Sequence, residues 1–448
     1  MEFQEKRRAA GKRLPEKDLR PVPPSLSRSA IHYPFSTNTF LREDYRNPGG
    51  LVRIGRILED LDALAGNIAF KHCSEDPSFP LLVTASVDRI VLRRHPELDC
   101  DITLMGRVVW TGRSSMVINM RQVLTSVSSA CSTSPPGVCY AGDEPWDDDA
   151  DQNFWLDANF TFVARDRDTG RSRAVSPLDL GSDPLHDKPG DDSERSPEQR
   201  GPEDGWKALW RRVNSHKSRQ ALERNAAKQG AASEGFVEIE AARRQRAEEE
   251  ARLVAAGFPL LHLPALANPH AVLVSQTATS STLICMPQHR NTANRIFGGF
   301  LMHRAYEVAF CAAFMFGGSR PRFSEIDEVV FLQPVDVGDL VKLDACVLYT
   351  KEGKEDGCPQ ACVEVLASVV RPEKIDSKVS NRFNLTFSFP EMAGAAMDQS
   401  EGSNANNGSR APAKLLRTVL PANTTEASRI VTAKHRDQMQ DAVDSAQH

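Results

Sequence analysis

Apolar residues along the chain switch between a helical and a strand-like spacing, and the same succession occurs twice. Between residues 51 and 72 they recur every three or four positions, which predicts a helix. Four runs rich in Val, Ile and Thr then predict strands at Leu81–Leu92, Ile102–Thr111, Met116–Leu124 and Phe154–Arg165. A second helical pattern at 296–316 precedes strand-like runs at Phe323–Leu332, Leu340–Tyr349, Ala361–Val370 and Asn381–Phe389.

Short segments of the two halves also match in residue type. Ser86–Leu92 has the pattern of Glu325–Phe331, and Asn159–Phe162 has that of Asn384–Phe387. A helix followed by consecutive antiparallel strands, present twice, predicts an α+β fold of two units, each a sheet that wraps one helix. The predicted boundaries are a disordered N-terminal arm over residues 1–30, a first domain at 31–168, a charged and partly helical linker at 169–258, a second domain at 259–393 and a disordered tail at 394–448.

Composition narrows the functional class. The formal net charge of -5 argues against a generic nucleic-acid-binding protein, which is normally basic. The longest apolar run, at 305–316, contains Glu307 and is too short to span a bilayer, so we expect a soluble protein. The 9 cysteines show no CxxC and no paired Cys/His spacing, which favours a reducing compartment and predicts neither a metal site nor a redox cofactor.

Asp62 is the first residue that suggests chemistry. It lies on the apolar face of the first helix, one turn from Leu58 and next to Ala65. A carboxylate in that position is costly unless it is paired or used. It is either a structural aspartate satisfied by the backbone or a basic partner, or a general base or nucleophile.

The start of the second helix offers a complementary group. Gly298 and Gly299 permit close approach of the backbone, and the N–H groups of a helix N-terminus suit a developing oxyanion. The alternative is a pair of packing glycines. Asn291, a few residues earlier, is either a turn residue or a side-chain donor to the same site.

Several motifs, in order, resemble the mitochondrial acyl-coenzyme A thioesterases that carry two hotdog domains. They are Gly55–Ala65, Val83–Asp88, Gly112–Met116, Trp155–Asn159, Arg295–Glu307, Gly317–Pro321 and Gln333–Gly338, and the similarity covers most of residues 40–390. The resemblance implies a tandem hotdog fold and hydrolysis of fatty acyl-CoA to free fatty acid and coenzyme A. It also implies a mitochondrial location, with the cytoplasm as the alternative, and an assembly of several identical chains.

The resemblance assigns roles to particular residues. It implies that Asp62 is the base or nucleophile, and that Asn291 and Gly299 act on the thioester from the other hotdog. Aligning Gly55 with Gly299 gives an offset of 244, which matches Asn47 to Asn291 but Asp62 to Tyr306. We therefore predict one composite active site between the two domains, and an inactive counterpart at Asn47 unless Glu307 replaces the missing aspartate.

Coenzyme A is expected to bind the first domain, at positions that contact it in similar proteins. The predicted binding residues are Thr84, Ala85, Ser86, Arg113, Ser114 and Ser115. Arg113 would pair with a phosphate. The alternative is an ordinary strand and a polar turn with a solvated arginine. The second domain departs from this pattern, and there only Lys351 or Lys354 offers a phosphate contact.

Two other functions compete with hydrolysis. A non-catalytic acyl-CoA-binding or sensing protein would keep the coenzyme A residues without Asp62. An enoyl-CoA hydratase of the hotdog type would need a paired Asp and His on a short loop, which we do not find. His72, His289 and His303 lack metal-ligand spacing and are expected to be structural, and no Gly-x-Ser-x-Gly motif suggests an α/β-hydrolase.

Overall fold

A computed structural model describes residues 19–125, 154–179, 210–217, 235–353, 358–392 and 416–445. Within these ranges, positions 75, 77, 96, 97, 168, 212, 216, 292, 293 and 328 are not described. The chain divides into two units. The first unit contains the chain up to residue 226 together with residues 288–303, and the second contains residues 227–287 and the chain from 304 onward. The sequence assigned 259–393 to one domain, whereas residues 288–303 pack with the first unit.

The first unit is a five-stranded antiparallel sheet around one long helix. Its elements are α1 (Pro24–Ser27), β1 (Ser29–Tyr33), α2 (Thr39–Asp44), α3 (Ile54–His72), β2 (Leu81–Leu92), β3 (Asp101–Thr111), β4 (Ser115–Thr125) and β5 (Phe154–Arg165). The strands follow the order β1-β3-β4-β5-β2. These bounds agree with the predicted helix and strands to within three residues.

Helix α3 buries the face that its sequence periodicity indicates. The fully or almost fully buried apolar residues recur at helical spacing and are Ile57, Leu58, Leu61, Leu64, Ala65 and Ile68. The sheet supplies the opposite wall through large side chains such as Trp155 and Phe160. The one carboxylate on this buried face is Asp62, which is 5% exposed.

The second unit repeats this arrangement and adds elements at both ends. Its elements are α4 (Gly235–His262), β6 (Ala271–Leu273), β7 (Thr279–Ile284), most of α5 (Gly298–Gly317), β8 (Arg322–Ile326), β9 (Val329–Val330), β10 (Leu340–Glu352), β11 (Pro359–Arg371), β12 (Asp376–Ser388), β13 (Thr418–Leu420) and α6 (Thr424–Ser445). The antiparallel strands follow the order β8-β12-β11-β10-β7, and β13 pairs with β6 in parallel.

The C-terminal segment differs from the prediction. We expected a disordered tail over residues 394–448, but residues 418–445 form β13 and α6. The polar composition that suggested disorder belongs to the stretch before residue 416. Beyond it, Ala427, Ile430 and Val431 have helical spacing and are buried in the second unit.

The N-terminal arm and the linker are also more ordered than expected wherever the structure describes them. The predicted disorder over residues 1–30 is wrong from Pro24 onward, because β1 pairs with β3 in the register Ser29–Gly106 to Tyr33–Ile102. In the linker, Val175, Leu178, Trp210 and Val213 are buried in the first unit. Helix α4 exposes its charged residues 243–248 to solvent, as a charge run usually does.

Both units therefore show a long helix against an antiparallel sheet. This confirms the predicted α+β fold of two hotdog units. No helix among the described residues is long and apolar enough to cross a membrane.

Candidate active site

Asp62 is buried in the first unit and hydrogen-bonded through both carboxylate oxygens. The backbone N–H of Gly299 donates to Oδ2 at 2.7 Å, and the Thr84 hydroxyl donates to Oδ1 at 2.9 Å. Three distant parts of the sequence thus meet at one carboxylate. The structure brings together Asp62, Gly299 and Thr84 from the predicted set.

Burial and hydrogen bonding act on Asp62 in opposite directions. Burial raises the pKa of its carboxyl above the usual range, because removing a charge from water is unfavourable. The hydrogen-bond donors at Gly299, Thr84 and Gly298 lower this pKa, because they stabilise the charged form of the carboxylate. Burial is the larger of these effects. A carboxylate whose pKa is raised in this way is a better proton acceptor than an exposed aspartate.

Position 299 must be glycine for this contact to form. A Cβ at this position would lie 2.9 Å from Asp62 Cβ, 2.9 Å from the Cα of Glu59 and 2.8 Å from the Phe297 ring. The N-terminus of α5 therefore approaches α3 backbone to backbone. Its N–H groups and helix dipole point at Asp62, an arrangement that favours negative charge there.

Asn291 shapes the loop that leads into α5. Its N–H donates to the carbonyl of Arg295 at 2.6 Å, and its side-chain Oδ1 accepts from the Arg295 N–H at 3.2 Å. A bridge between Arg290 and Ile296 closes the loop. Asn291 is thus a turn residue, and this geometry directs its Oδ1 into the loop.

Asn47 forms the same loop 244 positions earlier. Its N–H donates to the carbonyl of Leu51 at 2.9 Å, and its Oδ1 accepts from the Leu51 N–H at 3.0 Å. The closing bridge joins Arg46 and Val52. The offset found in the sequence therefore holds in three dimensions for these two hydrogen bonds and for the closing bridge.

The residues predicted to bind coenzyme A lie at one end of the first sheet. Thr84 on β2 pairs with Phe162 on β5, and Phe162 pairs with Met116 on β4. The turn at Arg113–Ser115 directly precedes Met116, so it lies about two strand spacings, or roughly 10 Å, from Thr84. Ala85 occupies an irregularity in the pairing of β2 with β5, and Ser86 lies opposite Thr161.

The turn itself is held by the backbone. The carbonyl of Ser114 accepts from Ala164 N–H and that of Arg113 accepts from Val175 N–H, at 2.8 and 3.0 Å. The side chain of Arg113 is exposed. Thr84 also makes a contact that the resemblance did not imply, since its hydroxyl donates to Asp62.

The counterpart residues of the second unit have other contacts. Tyr306 packs against Phe310, Phe323 and Phe387. Glu307 forms an ion pair with Arg304 at 2.7 Å on the surface of the helix. Lys351 is bound by Asp437 of α6 at 2.5 Å and by Glu325 at 3.7 Å. Lys354 lies outside the described residues.

Two of the three histidines have clear structural contacts. His72 is buried, with Nε2 2.9 Å from the carbonyl oxygen of Ser176, and burial lowers its pKa. The ring of His289 stacks on Phe300 with centroids 3.9 Å apart.

In the part of the chain that the structure describes, no three His, Cys, Asp or Glu side chains cluster as a metal site would require.

Sequence reasoning missed one contact next to Asp62. His303 Nδ1 lies 2.9 Å from Glu59 Oε1, and the two residues are separated by the offset of 244. They occupy equivalent positions on α3 and α5, one turn from Asp62 and Gly299. The offset of 244 could have indicated this contact, because Glu59 and His303 are equivalent residues of the two repeated helices.

Comparisons with known proteins bear on the family of the chain. No family model matches the chain. It is 40% identical over 420 residues to a Humulus lupulus protein named "Acyl-coenzyme A thioesterase 2, chloroplastic", covering 93% of this chain and 82% of that protein. It is 39% identical over 412 residues to the Humulus lupulus "Acyl-coenzyme A thioesterase 4, mitochondrial", covering 91% of this chain but only 66% of that protein. A Mus musculus relative, "Acyl-coenzyme A thioesterase 9, mitochondrial", is 29% identical over 389 residues, covering 83% of this chain and 74% of its own length.

Solved structures are more distant. An acyl-CoA hydrolase from Staphylococcus aureus, in complex with butyryl coenzyme A, coenzyme A and coenzyme A disulfide, has a TM-score of 0.31 and 22% identity, covering 40% of this chain and 95% of that one. A putative oleoyl thioesterase from Lactobacillus plantarum has a TM-score of 0.40 and 9% identity, covering 81% of this chain and 98% of its own. The family assignment rests on the sequence relatives, and by them the chain belongs to the acyl-coenzyme A thioesterase family.

Proposed function

We propose that the chain hydrolyses fatty acyl-CoA thioesters to free fatty acid and coenzyme A, with Asp62 as the reactive carboxylate. The observation that carries this proposal is the buried Asp62 at the N-terminus of α5, bound by Gly299 and Thr84. The reaction class is that of the family to which the chain belongs.

Hydrolysis at this site needs a proton acceptor and a stabilised oxyanion. Asp62 takes a proton from water as the water oxygen attacks the thioester carbonyl carbon, or its own oxygen attacks that carbon to give an anhydride that water then opens. The carbon–sulfur bond breaks, and the coenzyme A thiolate leaves and is protonated. The carbonyl oxygen gains negative charge during the attack, which the positive end of the α5 dipole and the Asn291 side-chain amide stabilise.

The coenzyme A moiety would lie along the end of the first sheet. The residues that support this are Thr84, Ala85, Ser86, Arg113, Ser114 and Ser115, which share that end of β2 and β4. Arg113 is exposed and suits a phosphate. In the second unit the corresponding Lys351 is bound by Asp437, which makes it a weaker candidate for a phosphate contact.

We also infer an organellar location and an assembly of several identical chains. The named relatives are mitochondrial or chloroplastic, which favours an organelle over the cytoplasm. The mitochondrion is the specific compartment that we propose, on the Humulus lupulus and Mus musculus relatives.

Thiol release from a panel of acyl-CoAs of increasing chain length tests the function. The wild-type protein should turn over at least one of them without added metal. Asp62→Asn is nearly isosteric and should lower kcat by about 100- to 10,000-fold, as expected for loss of a general base. Tyr306→Phe, at the equivalent position of the other helix, is the matched control and should leave kcat within about twofold of wild type.

Three outcomes separate the alternatives. Tight binding of acyl-CoA without thiol release from any chain length would favour the non-catalytic binding protein. Hydration of an enoyl-CoA without thiol release would favour the hydratase. Full activity of Asp62→Asn at unchanged thermal stability would remove Asp62 from the mechanism.

A further inference from the structure

The contact between Glu59 and His303 lies beside the proposed active site and has no part in the chemistry described so far. His303 is 3% exposed, and its Nδ1 lies 2.9 Å from Glu59 Oε1. With Glu59 ionised, its carboxylate can only accept a hydrogen bond, and the donor is then assigned to Nδ1 of His303. The second oxygen of Glu59 binds Arg56 at 3.1 Å, which directs the carboxylate from the solvent side.

This pair is placed to control the site geometrically. Glu59 precedes Asp62 by three residues on α3, and His303 follows Gly299 by four residues on α5. Residues three and four apart share a helix face. The side-chain pair thus joins the two helices one turn away from the place where the Gly299 N–H meets Asp62.

The absence of a Cβ at Gly55 leaves room for the His303 ring. A Cβ at Gly55 would lie 2.1 Å from His303 Cδ2 and 2.7 Å from its Nε2. Any side chain at position 55 would therefore displace the ring. Gly55 and Gly299 are equivalent under the offset of 244, and each removes a Cβ at one of the two helix contacts.

From this geometry we infer that Glu59 and His303 are positioning residues, which hold the N-terminus of α5 at the distance that Asp62 requires. The inference rests on the proposed function. The hydrogen bond between the two side chains joins α3 to α5, so the pair acts on Asp62 through the two helices. Displacements of about 1 Å at a catalytic site can cost roughly 100-fold in rate. A contact that fixes the spacing of α3 and α5 at this place therefore affects turnover directly.

The role predicts a specific kinetic signature. Weakening the Glu59–His303 contact moves the N–H groups of Gly298 and Gly299 away from Asp62. These donors oppose the effect of burial on the pKa of Asp62, so their loss raises that pKa further. The acid limb of the kcat/KM profile should then shift to higher pH, while KM changes little, because the coenzyme A contacts are elsewhere.

The test uses the full-length protein with thiol release from the best acyl-CoA. Glu59→Gln is nearly isosteric, and His303→Leu removes the ring donor. Each should lower kcat by about 10- to 100-fold, shift the acid limb upward and leave KM within about threefold. His303→Asn keeps a donor at the place of Nδ1 and should restore most of the activity that His303→Leu loses.

Glycine variants of α3 provide the matched pair. Gly55→Ala should reproduce the loss, since its Cβ displaces the ring. Gly66→Ala lies on the same helix, where a Cβ would meet only Phe162 Cζ at 4.0 Å, and should leave activity unchanged.

The outcomes are distinguishable from failure of the proposed function. A wild-type protein with no turnover refutes the function and this inference with it. An active wild type whose Glu59→Gln and His303→Leu variants keep kcat and the acid limb, even if they melt at lower temperature, refutes this inference alone. A purely structural role would lower the melting temperature without moving the acid limb, and His303→Asn would then give no kinetic rescue.

Discussion

Asp62 on α3 and Tyr306 on α5 occupy equivalent positions in the two repeated units, but their surroundings differ. Asp62 is bound by a backbone N–H and a hydroxyl. Tyr306 packs against Phe310, Phe323 and Phe387, and burial raises the pKa of its phenol. One helical position is a hydrogen-bonded carboxylate in the first unit and part of an aromatic cluster in the second. A repeat can therefore keep its scaffold while the polar group at one position differs between the copies.

The two asparagine loops show what the repeat has kept. The hydrogen bonds that Asn47 makes to Leu51 are those that Asn291 makes to Arg295. Among the described residues, Gly50 of the first loop and Asn294 of the second have positive φ, at 81° and 61°. Since both loops share this geometry, a turn-forming asparagine does not by itself mark a catalytic site. The difference between the halves arises on the helices.

The largest effect that we expect among the remaining variants comes from this pair of loops. Asn291→Ala should lower kcat by about 100- to 1000-fold, because it removes a donor to the developing oxyanion. Asn47→Ala should leave most of the activity. Each variant loses the Oδ1 contact that closes its own loop, and this contact contributes about 1 kcal/mol of stability.

Thermal denaturation and thiol release on both variants check this prediction. Equal losses of stability with unequal losses of kcat would support one active site. If Asn47→Ala and Asn291→Ala each removed about half of the turnover, two independent sites would be present. The prediction of one active site would then be wrong.

Thr84→Val should have a smaller effect that depends on pH. The Thr84 hydroxyl stabilises the charged form of Asp62, so its loss raises the pKa of Asp62 further above the ordinary range. Because the ionised carboxylate is the active form, the acid limb of kcat/KM moves to higher pH. Activity should fall by roughly 10-fold on the acid side and less on the alkaline side. A pH–rate profile shows it, and an unmoved limb would mean that Thr84 contacts Asp62 without tuning it.

Arg113→Ala should give the smallest effect. A phosphate contact distant from the reacting carbon contributes mainly uniform binding, so KM should rise by about 3- to 10-fold with little change in kcat. Arg243→Ala, on the solvent-exposed charged run of α4, is the control and should have no effect. Equal kinetics for Arg113→Ala and wild type would place coenzyme A elsewhere.

The sequence predicted the strands, both long helices and the burial of Asp62, because these follow from local periodicity. It predicted Gly299 near Asp62 only through the family resemblance. The Glu59–His303 contact was not predicted, since an isolated histidine on a helix gives no information about its partner. Helix α6 was missed because the polar stretch before it dominated the composition, although Ala427, Ile430 and Val431 have helical spacing.

The packing of residues 288–303 with the first unit has a consequence for how the chain folds during synthesis. The Asp62–Gly299 and Glu59–His303 contacts span 237 and 244 residues. At typical translation rates the ribosome needs roughly 10 to 50 s to add that length, and throughout this interval the first sheet and α3 lack their closing helix turn. During this time Asp62 has Thr84 as a donor but lacks the N–H of Gly299. The carboxylate therefore gains this set of hydrogen bonds only after the second half of the chain has begun to emerge.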